Sequence, residues 1–344
     1  MLLSNRFRAD NKPHINLTKI QKQFIKNFID ILKKNENDNF EKLNCLICEK
    51  NDFEIISEKD RYGLDYSTGI CSNCGNMQQT KYFSDDILNL FYKDYYNNIY
   101  FDFANIENRF NSQKKLAINK YSFLEDFINN SNKNFNILEI GCGPGGILSF
   151  FSNKGFDVTG IDLDDSHLEF GRKENLNLIN RYNFNVEKKY DLILISHVLE
   201  HLKKPEIELN FIKRYSHENT IIYIEVPSIS MIGNMYDFDV LKYLHIAHCY
   251  HFSSNSFKNF CNKNGLKILK VNSKIQALCS FNEKKSLFKY NYSETKKELE
   301  KFEKVYSKYG KILILVRIIR RAIGSILNLL GLKSFVLKIL DLKN

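Results

Sequence analysis

Apolar residues recur with helical spacing over 15–34 (INLTKIQKQFIKNFIDILKK), and this pattern predicts one amphipathic helix. Residues 43–82 break that rhythm with short polar turns carrying paired cysteines. An aromatic-rich bridge follows (Phe91, Tyr92, Tyr95, Tyr96, Tyr100, Phe101, Phe103), then a helical stretch over roughly 111–130. From Phe135 onward, short continuous apolar runs alternate with helical segments. The runs are 136–140 (NILEI), 156–161 (FDVTGI), 190–195 (YDLILI) and 220–226 (TIIYIEV). Uninterrupted β-branched runs separated by helices mean strands covered on both faces, hence an α/β fold with a parallel sheet. After Gly265 two closer runs, 266–271 (LKILKV) and 275–281 (IQALCSF), have no helix between them and predict a hairpin at the sheet edge. The pattern divides the chain at 1–42, 43–82, 83–134, 135–285 and 286–344, with no internal repeat and no flexible linker.

A length of 344 residues suggests two domains, and a hydrophobic fraction of 43% is ample for a buried core. Disordered, collagen-like and low-complexity readings are excluded. The net charge of +10 is spread through a Lys- and Asn-rich chain and reads as a compositional habit more readily than as a polyanion site. The first twelve residues carry no apolar run of the export kind, and no stretch reaches the roughly 18–20 uncharged apolar residues of a membrane span. The expectation is a cytoplasmic protein with reduced thiols.

Four of the eight cysteines form two chelating turns, Cys45-x2-Cys48 and Cys71-x2-Cys74, with 22 residues between them. Four thiolates that can close a tetrahedron favour structural zinc, since no coordination position is left open for chemistry. Such a site is expected to fold a small lobe that could not otherwise hold itself together. The remaining four, Cys142, Cys249, Cys261 and Cys279, are scattered.

The string NILEIGCGPGG places a strand directly before Gly141, Gly143 and Gly146, and ILSFF opens a helix. A turn of this kind lets backbone N–H groups approach a ligand, though alone it suits a dinucleotide as well as another adenosine ligand. Asp162 ends the next strand, where a carboxylate can accept both hydroxyls of a ribose. Glu139 breaks the tie. A carboxylate two residues before the first glycine suits a ligand with an ammonium group and unsuits a pyrophosphate. The fourth strand then runs into Ser196-His197-Val-Leu-Glu200-His201, and the fifth into Glu225-Val-Pro227-Ser228.

This ensemble, spanning roughly 135–282, resembles the class I S-adenosylmethionine-dependent methyltransferases. The resemblance implies a Rossmann-like, seven-stranded, mostly parallel sheet whose last strand is antiparallel. Here that sheet would carry a small N-terminal zinc lobe and a C-terminal helical tail. It also implies cofactor roles: Glu139, Gly141, Gly143 and Gly146 at the methionine end, Asp162 on the ribose, Leu163 against the adenine, Asn183 near the adenine edge. Ser196 and His197 follow strand four on the ligand-binding side of the sheet. Glu200 and His201 read equally well as capping and packing residues. With the four-cysteine lobe in front, the chain is similar to the branch that includes C-methyltransferases of nucleotide-activated deoxysugars.

Methyl transfer needs an aligned nucleophile and a base, and a histidine is suited to the second task. The candidates are His248 and His197. His248 lies in the cluster His245-Ile-Ala247-His248-Cys249-Tyr250-His251-Phe252-Ser253. The sugar C-methyltransferases carry Tyr-x-Glu-His there, followed by an aromatic residue and Phe-Ser. His248, Phe252 and Ser253 match, whereas His245 and Ala247 replace the tyrosine and the glutamate. Loss of that glutamate favours O-methylation, or an unassigned acceptor atom, on a nucleotide sugar or related glycan precursor. A second zinc site from His245, His248, Cys249 and His251 is a lesser alternative to a cleft lining.

Two other function classes stand beside this one. Interleaved Lys and Tyr suit RNA, yet residues 51–66 of the metal lobe hold five acids. A non-catalytic zinc-and-Rossmann binding protein is the third. The apolar tail 311–340, interrupted by Arg317, Arg320, Arg321, Lys333 and Lys338, should pack on the enzyme or a second subunit, or lie on an anionic inner-membrane surface.

Overall fold

The computed structural model describes residues 2–34, 38–100, 105–128, 135–282 and 289–329. Five short strands come first: β1 (Phe40–Lys42), β2 (Phe53–Lys59), β3 (Asp65–Cys71), β4 (Met77–Gln79) and β5 (Lys81–Phe83). Then follow β6 (Asn136–Ile140), β7 (Asp157–Asp162), β8 (Asn177–Asn180), β9 (Tyr190–Ser196) and β10 (Ser216–Glu225). The last three are β11 (Tyr250–His251), β12 (Leu266–Val271) and β13 (Gln276–Phe281).

The central sheet has seven strands in the order β12-β13-β10-β9-β6-β7-β8. β10, β9, β6, β7 and β8 pair in parallel, while β13 runs antiparallel to both β10 and β12. The expected α/β architecture is therefore present, with its antiparallel strand one place in from the edge. β8 holds only two apolar residues in NLIN, too short a run to register as a period.

Side chains alternate between the two faces of the sheet, and both are buried. Ile137, Leu192, Leu194 and Tyr223 face the helices Ile106–Ile128 and Gly146–Ser152 through Leu124, Ala117, Leu148 and Phe151. Leu138, Ile193, Ile195, Ile222 and Ile224 join the opposite core with Leu209, Ile212, Phe257 and Phe260 of the helices Pro205–Lys213 and Ser254–Lys263. Two covered faces explain why these strands read as continuous apolar runs.

The N-terminal lobe shares a sheet with this domain. Its second sheet has the order β11-β4-β3-β2, so that Tyr250 and His251, far along the chain, pair with Gln78 and Met77. The aromatic bridge forms the helical stretch Asp85–Tyr100; Phe91 packs in the core, while Tyr92, Tyr96 and Tyr100 turn toward His201 and His245. Phe101 and Phe103 lie outside the described residues.

The helix Tyr292–Leu329 has two characters. Its first turns bury Thr295, Leu299, Phe302 and Glu303. There Arg6 clasps Glu303 at 2.5 Å and Asp239 at 2.8 Å, with its guanidinium 4.3 Å from the Tyr306 ring centre. Beyond Gly310, Ile312, Ile314, Leu315, Ile319 and Ile323 are exposed, and Arg317 holds Asp237 at 2.8 Å. The part of the tail from 330 on lies outside the described residues. Among the described residues no helix is long and apolar enough to cross a membrane.

The two halves should respond differently to truncation. Leu299→Ala removes a fully buried side chain and should cost about 2–5 kcal/mol in urea denaturation. Leu315→Ala, at 57% exposure, should stay within about 0.5 kcal/mol of wild type.

Candidate active site

The carboxyl ends of β6, β7, β9 and β10 converge on one crevice. After β6 the chain turns through Gly141 (φ 69°), Gly143 (φ 53°) and Gly145 (φ 82°), left-handed conformations that favour glycine. Gly146 is glycine for a different reason: a Cβ there would stand 2.1 Å from the Phe110 carbonyl oxygen. The helix Ile106–Ile128 therefore lies directly on the turn, and Gln113 accepts the Gly146 N–H at 3.0 Å and donates to the Cys142 carbonyl at 3.3 Å.

Asp162, at the end of β7, holds the turn from the other side. Its Oδ2 accepts the Gly143 N–H at 2.7 Å, and Oδ1 accepts those of Leu163 and Asp164 at 2.8 and 3.0 Å. Oδ1 thus already accepts two N–H groups, while Oδ2 keeps a further lone pair for a hydroxyl. Leu163 is 59% exposed beside it, and Asn183, on the single turn Arg181–Asn183, is exposed as well.

Glu139 is the unusual group. It is buried, and its Oε2 has no hydrogen-bond partner. Burial pushes its carboxyl up to about 8, against the pull of Lys120 and with the push of Asp162. A buried carboxylate with an idle oxygen is costly, and a cation brought in by a ligand would relieve it. Lys120 itself is engaged by Glu225 and by Ser196 Oγ at 2.9 Å, and Ser196 donates to Glu225 at 2.9 Å. Burial works to raise the Glu225 carboxyl, but Lys120 and His197 hold it below the usual range.

His197 follows β9 with φ at 56°, a conformation that costs a non-glycine residue about 1–3 kcal/mol and clusters at functional sites. Its ring is half exposed, with Nδ1 3.2 Å from Glu200 Oε1. Burial alone would lower its imidazole, yet the hydrogen bond and charge of Glu200, with Glu225, raise it. His248 is different. It is buried, and burial together with the nearby His245, His201, His251 and Arg61 holds its imidazole well below the ordinary value. The two candidate bases are thus pushed apart.

The sequence puts Glu200 and His201 at a helix start, with capping and packing as plausible as a functional role, and the structure places both on a short helical turn. Glu200 is fully buried on the turn Leu199–His201, its Oε1 3.9 Å from both His201 Nε2 and His248 Nε2. The suggested cluster of His245, His248, Cys249 and His251 is corrected. His251 turns to the Tyr66 hydroxyl at 3.1 Å, while Glu200, His201 and His248 bring donor atoms within 4.8 Å of one another. The carboxylate of that group, Glu200, comes from a segment almost fifty residues before Ala247. No local pattern signals that arrangement.

The lobe fixes these histidines. Tyr66 donates to the His248 carbonyl at 2.7 Å, and Gln79 donates to the same oxygen at 2.8 Å and to that of Ile246 at 2.9 Å. Asp60 accepts the Ile246 N–H at 3.1 Å. Arg61 lies over the rings of Tyr62 and Tyr100 at 5.0 and 5.7 Å, and Tyr100 meets His245 at 5.1 Å. At the far end of the lobe the four cysteines come together, with Cys45 and Cys74 sulfurs 3.4 Å apart and those of Cys48 and Cys71 3.5 Å apart. These separations exceed a disulfide and match thiolates around one ion.

Residues 107–271 match the family model described as a methyltransferase domain. Among curated relatives, 79 residues are 42% identical to malonyl-[acyl-carrier protein] O-methyltransferase 1 of Ilyobacter polytropus, covering 20% of this chain and 30% of that protein. A further 106 residues are 29% identical to a ubiquinone biosynthesis O-methyltransferase of Hydrogenovibrio crunogenus, covering 28% and 43%. The chain thus spans less than half the length of these relatives. The magnesium protoporphyrin IX methyltransferase of Synechocystis PCC 6803, solved with bound SAH, overlays with a TM-score of 0.42 at 11% identity, over 57% of this chain and 100% of that one.

The contact between turn and helix is testable by itself. Gly146→Ala should destabilise the protein by about 1–3 kcal/mol in chemical denaturation through overpacking. An unchanged midpoint would mean that the helix stands off from the turn.

Proposed function

We propose, taking residues 107–271 as an S-adenosylmethionine-dependent methyltransferase domain, that the chain methylates a nucleotide-activated sugar or another surface-glycan precursor. The observation that carries the cofactor side is the idle buried carboxylate of Glu139 beside the glycine turn. It suits the ammonium of an amino-acid-bearing nucleoside and repels a pyrophosphate. Gly141, Gly143 and Gly146 shape the methionine end, Asp162 takes the ribose hydroxyls, and Leu163 and Asn183 border the adenine. Ser196, tied to Lys120 and Glu225, shapes the floor of the crevice.

The cofactor supplies an activated methyl group, and the chain's residues orient the acceptor and take up its proton. An acceptor oxygen in line with the carbon–sulfur bond forms the new bond as the old pair returns to sulfur. The displaced proton passes to an imidazole, with His197 and His248 as the two within the crevice. The glycan assignment draws support from the wall of Tyr62, Tyr96 and Tyr100, whose rings can stack on a sugar or base, and from Arg61, a cation for phosphate. Tyr96 and Tyr100 already stack at 4.9 Å.

Cys45, Cys48, Cys71 and Cys74 fit structural zinc by their donor set, four soft thiolates with no open position. The exposed apolar residues of 312–323, with Lys311 and Arg317, support peripheral contact with an anionic membrane from the cytoplasmic side.

Calorimetry with S-adenosylhomocysteine tests the pocket. Binding favours ionised Glu139, whose free carboxyl titrates near 8, so affinity should climb by up to about tenfold per pH unit as pH rises toward that value. Above it the affinity levels off. Glu139→Gln should flatten the profile, and Asp162→Ala should lose most of the affinity at every pH. Unchanged binding in Asp162→Ala would remove the ribose assignment. Incubating the enzyme with labelled methyl donor and a panel of nucleotide sugars, read by mass spectrometry, tests the acceptor. Labelling of fatty-acyl or RNA acceptors alone would replace it.

A further inference from the structure

We propose that Glu200, His201 and His248 form a second metal site, taking a divalent transition-metal ion in a Lewis-acid role. Its catalytic meaning rests on the methyltransferase reading above; the site itself is argued from geometry.

Three polar side chains face one another here without bonding. Glu200 Oε1, whose hydrogen-bond partner is His197 Nδ1 at 3.2 Å, stands 3.9 Å from His201 Nε2 and 3.9 Å from His248 Nε2, beyond hydrogen-bond reach. Both Glu200 and His248 are buried, at 0% and 6% exposure, so water does not satisfy them from outside. Glu200 Oε2 and His248 Nδ1, the other donor atoms of those two side chains, have no partner at all. Native proteins rarely leave such groups idle, and each leftover asks for a ligand or ion.

The His201 ring supplies the second observation. Its Nδ1 lies 3.0 Å from the Ala247 carbonyl, which can only accept, so Nδ1 carries the proton and Nε2 presents a lone pair to the gap. A ligating histidine typically has its other nitrogen anchored to a backbone carbonyl in this way. His248 is anchored through its backbone instead, its carbonyl held by Tyr66 and Gln79.

The spacing suits a metal after slight closure. Nitrogen and oxygen ligands about 2.0–2.2 Å from zinc stand roughly 3.3–3.6 Å apart in a tetrahedron. The two carboxylate–imidazole separations of 3.9 Å are a few tenths of an ångström too wide, and the three donor atoms together lie within 4.8 Å of one another. Two imidazoles and one carboxylate are donors for zinc, manganese or cobalt in preference to calcium or magnesium. Three protein ligands leave a position open for an acceptor hydroxyl, which the ion would polarise, and with His248 bound to the ion the displaced proton passes to His197. Such a site favours an oxygen acceptor over carbon. It also differs in kind from the closed four-thiolate cluster.

The full-length protein distinguishes the sites by their spectra. Cobalt(II) added to the chelator-treated protein should load two equivalents per chain. One should give the intense thiolate-to-metal charge-transfer band of the cysteine cluster. The other should give only weak visible bands of nitrogen and oxygen ligation. Glu200→Gln and His248→Gln should each lose the second equivalent and keep the first, with S-adenosylhomocysteine affinity within about threefold of wild type as the check on folding. A wild-type protein that takes one equivalent, all of it thiolate-bound, would overturn the proposal without substitutions. So would folded Glu200→Gln and His248→Gln variants that keep both equivalents. Cofactor binding without the second ion defeats the metal site alone. A second ion without cofactor binding supports the site and defeats the methyltransferase reading beneath it.

Discussion

The arrangement depends on a few hydrogen bonds between the N-terminal lobe and the loop after the fifth parallel strand. β4 pairs with β11, while Tyr66, Gln79 and Asp60 hold the backbone of Ile246 and His248. These bonds are buried, where an unmet partner costs about 1–3 kcal/mol. The loop carrying three histidines is therefore set by residues nearly two hundred positions away. A four-thiolate cluster at the other end of the same lobe would stiffen β3 from its last residue, Cys71. The cysteine pairs then bear on the crevice without touching it.

A second constraint is electrostatic. The crevice collects carboxylates in a low-dielectric setting: Glu139, Glu200 and Glu225 are all largely buried. Only Glu225 has a full set of partners, in Lys120, Ser196, Tyr223 and Gln276. Glu139 and Glu200 each retain an idle oxygen. Stability alone would replace both with apolar residues, because an unpaired buried carboxylate is worse than none. Their presence agrees with the two cationic ligands proposed for them, an ammonium beside the glycine turn and an ion between the histidines.

Much of this was readable in the chain. Continuous runs such as YDLILI give parallel strands because both faces of the sheet are covered, and the spacing of Gly141, Gly143 and Gly146 locates the turn before any coordinates. The cysteine pairs were legible since chelation needs only short local spacing. What could not be read was long-range pairing. β11 is two residues long and joins a sheet begun almost two hundred residues earlier, and nothing in Tyr250-His251 announces it. Glu200 does stand on a short helical turn, but its complete burial beside three histidines has no local signature in the sequence. The glycines also differ in a way spacing conceals, since Gly146 is small to admit Phe110 and Gln113 of the covering helix.

The same reasoning explains the departure from the Tyr-x-Glu-His pattern. A carboxylate at Ala247 would project from the loop itself, and Ala247 is fully buried with its carbonyl taken by His201. Moving the carboxylate to Glu200 places it opposite the histidine, not beside it. From there it faces His197, His201 and His248 together. A carboxylate beside one histidine orients one base. A carboxylate facing three imidazoles is shared, and sharing it without bonds shorter than 3.2 Å leaves a gap of the dimensions an ion fills.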